Sequence, residues 1–443
     1  MKPDDSFPGD AGSAARRAGP TGSAGSVAVR RLSRALRVWI GLWERPVPAA
    51  LMALALYTAL AAFHRPLLPA SPHAYHNYLA DAFLHGQLSL RLLPPSLHDL
   101  SLFDGRYYLY WSPMPAILLL PFVAVFGVSF SDILFTLGVG ALNVALVARL
   151  LREACSRRVL DLSEAQRGWL VLFFVAGTVH VTLAPLGRVW FTSQLVGFMC
   201  VALAYLAALR LRGGAAFALT GLALAGALLA RNHLALTGLW PACYLLREHR
   251  DAGWRRLSAY SLIGAVPVVF AVGLLGAYNW LRFGNVLDNG LAYQQMASVF
   301  VDDYRRYGFF SLHFLPTNLF YHYVAYSFSN RPETFQGSSL FLLSPVFFGA
   351  FWGLAAGRPR WSAAALAGTI FLTAIPSLLL NGTGWVQFGP RYTLDFTVPL
   401  LLLTAIGVRR WPVPWLAVLT AIGVVHYFVG AIWLGQCYAQ YGS

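Results

Sequence analysis

The chain has 443 residues, 57% of them hydrophobic and only 12% charged, against roughly 25% charged in an ordinary soluble domain. Apolar runs of bilayer length recur along it, which makes it an integral membrane protein and excludes a soluble enzyme. Its formal net charge of +15 is almost all arginine scattered between apolar segments; without a basic face interleaved with stacking aromatics, nucleic acid is excluded as a partner.

In chain order, residues 1–38 are rich in Gly, Ala, Ser, Pro and Arg and are expected to form a disordered cytoplasmic tail. The first apolar run lies too far from the N-terminus for a cleaved signal peptide and reads as a retained anchor. Residues 39–443 are expected to form one polytopic transmembrane domain. Spans are expected at 46–63, 131–150, 167–184, 193–211, 215–231, 233–247, 258–281, 339–356, 361–380, 392–408 and 412–432, an all-α protein with about 11 transmembrane helices (range ~10–13). This scheme puts the clusters Arg30–Arg45, Arg149–Arg167, Arg210–Arg212, Arg247–Arg256, Arg358–Arg360 and Arg409–Arg410 on one side, the cytoplasmic one. It requires that "PMPAILLLPFVAVFG" (Pro113–Gly127), short and broken by prolines, does not cross. The N-terminus is then cytoplasmic and the C-terminus extracytoplasmic, in a bacterial inner membrane given the Arg- and Ala-heavy composition.

Two long extracytoplasmic loops follow from this scheme, about 64–130 and 282–338. The first contains "YHNYLADAFLHGQLSL". At helical spacing, Tyr75, Leu79 and Phe83 share one face, and Asn77, Asp81 and His85 share the other. The segment is expected to be a juxtamembrane helix holding its polar face towards an outer cavity. The outer acids are Asp81, Asp99, Asp104, Asp132, Asp288, Asp302, Asp303, Glu333 and Asp395, and a carboxylate base acting on this face has to come from among them. Arginines on the same side run against the topological bias and invite a phosphate. They include Arg188, Arg282, Arg331 and Arg391, the last opening a span in "WVQFGPRYTLDF" with Asp395 one helical turn below. Arg231, Asn232 and His233 interrupt an apolar stretch at an outer turn. His73 and His76 have no specific metal-ligand spacing, and the four cysteines (Cys155, Cys200, Cys243, Cys437) form no CxxC pair, so no metal site or disulfide framework is expected.

The order "Y..LADAFLHGQL", then "GRYYLYWSPMPAILLLPFVAVFG", with "ALTGLALAGALLARNHLAL", "YNWLRFGNVLDNG" and "FGPRYTLDFTVPLLLL" downstream, resembles the polytopic glycosyltransferases of the GT-C class. The branch is the one around the dolichyl-phosphate-mannose protein mannosyltransferases and the lipid A aminoarabinose transferases. The resemblance covers most of Val47–Leu403. It implies a GT-C-like fold and transfer of a sugar, with inversion, from a polyprenyl-phosphate carrier to a glycan, lipid or protein acceptor on the outer face. A divalent cation, Mg or Mn, is compatible with that chemistry. The family's catalytic acid lies just upstream of the alanine matching Ala80, where this chain reads "ASPHAYH". The base is therefore expected at Asp81, then Asp104, with Asp99, His76 and His73 as alternatives. Arg391, Arg231, His233 and Arg282 are expected to bind the donor phosphate. His73, Asn77, Tyr108, Gln387 and Asp395 are expected at the sugar or acceptor. Rival readings are a secondary transporter or lipid flippase, a lipid-linked oligosaccharide polymerase or ligase, and a non-catalytic cell-envelope assembly protein. The first would place its charges near the bilayer midplane, whereas here they collect at outer boundaries.

Overall fold

The structure is a computed structural model that describes residues 24–68, 70–326, 336–357 and 359–441; Arg331, Glu333 and Arg358 lie outside them. Because lipid cannot satisfy backbone N–H and C=O groups, the apolar sequence folds almost wholly into helices. In chain order these are α1 (Ala24–Glu44), α2 (Pro46–His64) and α3 (Tyr75–Leu84), then a hairpin of β1 (Ser101–Phe103) and β2 (Arg106–Tyr108), and α4 (Met114–Phe126). There follow α5 (Asp132–Ser156), α6 (Glu164–Ala176), α7 (His180–Leu183), α8 (Val189–Arg210), α9 (Gly213–Ala230), α10 (Leu239–Glu248) and α11 (Trp254–Phe283). The second long loop carries α12 (Ser298–Tyr307) and α13 (Leu315–Leu319); beyond it run α14 (Leu340–Leu343), α15 (Gly349–Ala356), α16 (Arg360–Leu379), α17 (Thr397–Val408) and α18 (Val413–Tyr441).

Among the described residues, 8 segments are long and apolar enough to cross a membrane: α2, α5, α8, α9, α11, α16, Arg391–Val408 and α18 through Ala439. Each coincides with an expected span. The spans expected at 167–184, 233–247 and 339–356 are instead interrupted. The first breaks between α6 and α7, where the Gly177 carbonyl accepts from Ser344 Oγ (2.8 Å). The second opens as the 3₁₀ turn Asn232–Gly238 before the ten-residue α10. The third breaks at Pro345, which has no N–H to continue a helix. The N-terminal segment also differs from expectation: residues 24–38, read as tail, belong to α1, which buries Ile40 and Trp43 and leaves Arg34–Trp39 exposed.

Charge separates the two ends of the bundle. At one end Glu44 accepts from Arg167 (2.8 Å) and lies 3.4 Å from Arg152, while Glu153 pairs with Arg157 (3.2 Å) and Arg149 (3.6 Å). A capping box, Ser163 with Gln166, starts α6 at this end, and Gln166 Nε2 also donates to the carbonyls of Val408 and Arg409 at the C-terminal end of α17. α9 and α11 touch backbone to backbone: a Cβ on Gly221 would sit 1.9 Å from the Gly264 carbonyl oxygen. Small residues of this kind let membrane helices approach closely.

The long loops stitch together at the other end. Tyr75 Oη donates to the His98 carbonyl (2.7 Å), and the Val189 N–H donates to the His73 carbonyl (2.9 Å). The two loops exchange backbone bonds, Asp99 N–H to Gln295 O (2.9 Å) and Gln295 N–H to Leu100 O (2.8 Å). α4 is a short apolar helix packed on α3, in keeping with a segment that does not cross. α3 itself departs from the two-faced expectation: Tyr75 and Leu79 are buried, but so are Asn77 and Asp81.

Candidate active site

Where the loops meet the helix ends lies a cavity of about 750 Å³. The first loop contributes His73, His98, Asp99, Tyr110 and Trp111; the helix ends contribute Arg188, Trp190, Arg231, His233, Arg391, Tyr392 and Tyr438; the second loop and the turn after α16 close it. Among the described residues Asp99 is the one carboxylate on its wall. Three wall residues that are not glycine have left-handed φ: Asp99 (64°), Arg188 (69°) and Val386 (52°). Strain of this kind costs of order 1–3 kcal/mol per residue and persists where the surroundings enforce it, commonly at functional sites.

Asp99 is held at a fixed angle. Trp190 Nε1 donates to Oδ2 (2.9 Å), Gln294 Nε2 donates to Oδ1, and His98 Nε2 lies 3.5 Å from Oδ1. A carboxylate carries about four lone-pair positions, so an acceptor remains for a substrate hydroxyl. Beside it, burial pushes the Tyr110 hydroxyl pKa well above its ordinary value, and its ring stacks on Trp111 at 3.7 Å. These flat apolar faces match the C–H face of a sugar.

The phosphate candidates separate by what already occupies their donors. Arg391 is buried; its guanidinium lies against the rings of Tyr392 (5.0 Å) and Phe191 (5.7 Å). Among the described residues no carboxylate pairs with it, and its Nε has no hydrogen-bond partner. Arg391 does not pair with Asp395, which an α-helix would have placed one turn below it. Arg391–Phe396 is a 3₁₀ turn, and in that tighter winding residues four apart no longer stack. Asp395 instead accepts from Arg231 (3.1 Å) and His233 Nε2 (2.9 Å), behind the cavity wall that both line. Arg282 is spent elsewhere: it donates to the carbonyls of Leu109 (2.8 Å) and Tyr278 (3.2 Å) and to Asn279 Oδ1 (2.9 Å). It braces the strand that leads to Tyr110 and does not line the cavity.

The remaining expected residues divide the same way. Asp81 lies outside the cavity, its two oxygens taken by Arg91 Nη2 (2.9 Å) and Nε (3.0 Å). Asp104 is at the exposed tip of the β1–β2 hairpin, where φ of 47° there and 69° at Gly105 make the two-residue turn. His76 is enclosed in protein, and Asn77 donates to the carbonyls of Val128 (3.0 Å) and Phe130 (2.7 Å). Tyr108 packs on Phe283 (5.2 Å) away from the cavity. Gln387 is buried behind the wall, where its Oε1 accepts the Arg391 N–H (2.9 Å) and its Nε2 donates to Gln336 O and Thr383 O. His73 does line the cavity. Arg188, Trp190 and Tyr438 had no role in the sequence reading beyond Arg188's place among the outer arginines. The Gly187–Arg188 pair at an outer turn was the available signal for it.

Among the described residues the wall is rich in arginine and histidine with a single carboxylate, and no three His, Cys, Asp or Glu side chains converge as a metal cage. A hard cation wants several oxygen ligands, so these residues do not fit the Mg or Mn that the resemblance allows.

No family model matches the sequence, and no curated protein matches it. The fold does have solved counterparts. ArnT from Cupriavidus metallidurans bound to undecaprenyl phosphate superposes with a TM-score of 0.52 at 14% identity, over 88% of this chain and 76% of that one. The apo form of the same protein gives 0.52 and 14%, over 91% and 78%. The Archaeoglobus fulgidus oligosaccharyltransferase gives 0.46 at 12%, over 88% of this chain and 52% of that one. The fold of this chain is GT-C-like, an all-α integral membrane architecture.

Proposed function

We propose that the protein is a membrane glycosyltransferase. It moves a sugar from a polyprenyl-phosphate donor to a cell-envelope acceptor on the extracytoplasmic face of the inner membrane, with inversion. The observation that carries this reading is the pairing, in one cavity, of a buried guanidinium that has no carboxylate partner among the described residues with the one strained carboxylate that they place on the wall. A buried cation without an anion is costly unless a ligand supplies one, and guanidinium matches phosphate oxygens. ArnT, of the same fold, holds undecaprenyl phosphate, and that class of lipid is the carrier assigned here.

In this reading Arg391 receives the donor phosphate, with Arg231 and His233 beside it. Asp395 holds those two in place. The isoprenoid tail stays in lipid alongside α4, and Tyr110 and Trp111 face the sugar. Asp99 accepts the proton of the acceptor hydroxyl as its oxygen attacks the anomeric carbon. The carbon–phosphate oxygen bond breaks with its electron pair on the phosphate, whose charge the arginines stabilise. The test is incubation of the protein in nanodiscs with a panel of labelled polyprenyl-phosphate sugars and an envelope extract. Lipid-phosphate release from at least one donor is expected; none from any donor would overturn the reading.

A further inference from the structure

His73 is 8% exposed and lines the cavity. Its Nδ1 lies 3.0 Å from Arg188 Nη1. A guanidinium has only N–H donors, so Nδ1 must be the acceptor, and a neutral ring then carries its proton on Nε2. The ring is held neutral: burial, then the charges of Arg188, His98 and Arg65, bring its pKa down to about 3. Among the described residues nothing takes the Nε2 proton.

Arg188 is itself positioned. Its N–H donates to Asp132 Oδ2 (2.6 Å), and that carboxylate also accepts from the Ser71 N–H (2.8 Å) and Ser71 Oγ (2.6 Å). The backbone at Arg188 has φ 69° and ψ 150°, a region normally reserved for glycine. Its guanidinium lies 4.3 Å from the centre of the Tyr438 ring and donates to the Tyr438 carbonyl (3.2 Å). Tyr438 and Arg391 line the same cavity as His73 and Arg188, so the His73–Arg188 pair shares its wall with the arginine assigned to the phosphate. The His73 ring lies 4.9 Å from Trp190, whose Nε1 donates to Asp99. Asp99 and His73 therefore flank one indole.

We propose that His73 is a catalytic hydrogen-bond donor rather than a base: its Nε2–H, fixed by Arg188, binds an oxygen of the phosphate that leaves the sugar. The role rests on the transfer reading above. The acceptor oxygen bonds to the anomeric carbon, the bond from that carbon to phosphate oxygen breaks with its pair, and the acceptor proton goes to Asp99. His73 keeps its proton throughout and only strengthens its hydrogen bond as charge grows on the phosphate.

Two measurements on the full chain in nanodiscs test this. ¹⁵N-histidine NMR, with His73 assigned by substitution, is expected to show the Nε2–H tautomer unchanged from pH 8 to pH 5; a proton on Nδ1, or titration near pH 6, would overturn the proposal. In turnover, His73→Ala is expected to lower kcat by about 100-fold with donor KM little changed. His73→Gln, whose amide places an N–H near the Nε2 position, is expected to restore at least about tenfold of that. Unchanged turnover in His73→Ala, or a glutamine variant as inactive as the alanine one, would overturn the donor role while leaving the transfer reading intact. A wild-type protein that releases no lipid phosphate from any donor would overturn the transfer reading itself, and the catalytic role of His73 with it.

Discussion

Asp81 and Asp99 sit in the same loop, and their neighbours give them different work. Helical periodicity picks out Asp81 as polar-faced but cannot show that Arg91 folds back to take both its oxygens. Asp99 belongs to no periodic segment, and its place on the cavity wall depends on Trp190 and Gln294, both far off in sequence. Asp81→Asn is therefore expected to leave turnover within about threefold of wild type, whereas Asp99→Asn should lower it by ~10²–10⁴, the usual contribution of a general base. Comparable losses in both variants would show that the loop as a whole, and not Asp99, is what matters. His76 offers a separate check on stability. Burial holds its ring at a pKa of about 3, below the unfolded value near 6.5. Between those limits the unfolded chain binds a proton that the folded one does not, so stability falls as pH falls through the window, by up to about 1.4 kcal/mol per unit. His76→Leu should lessen the loss of thermal stability between pH 7 and pH 5; an unaltered loss would mean that the ring is accessible to protons when folded.

Helices were the more legible level. Long apolar runs locate α2, α5, α8, α9, α11, α16 and α18 because bilayer thickness and backbone satisfaction leave few alternatives. The interrupted segments were not legible as such, since hydropathy does not register a Ser344–Gly177 hydrogen bond or a loop that rewinds as a 3₁₀ turn. The same blindness explains Arg391: an i,i+4 pairing presumes an α-helix, and its segment is a tighter turn. Helix-to-helix contact was equally hidden, because nothing local says which glycine meets which neighbour. Gly221→Val should force α9 from α11, where a Cβ already meets the Gly264 carbonyl oxygen. A fall of more than about 3 °C in the thermal midpoint is expected in detergent; an unchanged midpoint would mean that the two helices do not pack in this way.

At the scale of the whole molecule, arginine distribution and chemistry divide between the two ends of the bundle. The ion-paired cluster around Glu44 and Glu153 lies at one end, and the cavity with Asp99 and Arg391 at the other. In the orientation proposed from the positive-inside bias, the cavity lies outside the cell. In a cysteine-free background, Asp104→Cys on the exposed hairpin should react with an impermeant maleimide in intact cells, and Ser156→Cys only after the membrane is opened. The reverse pattern would place the cavity in the cytoplasm and rule out transfer on the outer face. The general plan, two long loops over one end of a helical bundle with acids and arginines between, was legible from charge and hydropathy. Which acid and which arginine meet was not, because the cavity wall is assembled from both loops and several helix ends.

The most direct measurement of the central claim is single-turnover release of lipid phosphate from a labelled polyprenyl-phosphate sugar, with wild type, Asp99→Asn and Arg391→Ala compared side by side in nanodiscs. The account predicts release by wild type, loss of the chemical step in Asp99→Asn with donor still bound, and weakened donor binding in Arg391→Ala. Release that proceeds equally in all three proteins would contradict it.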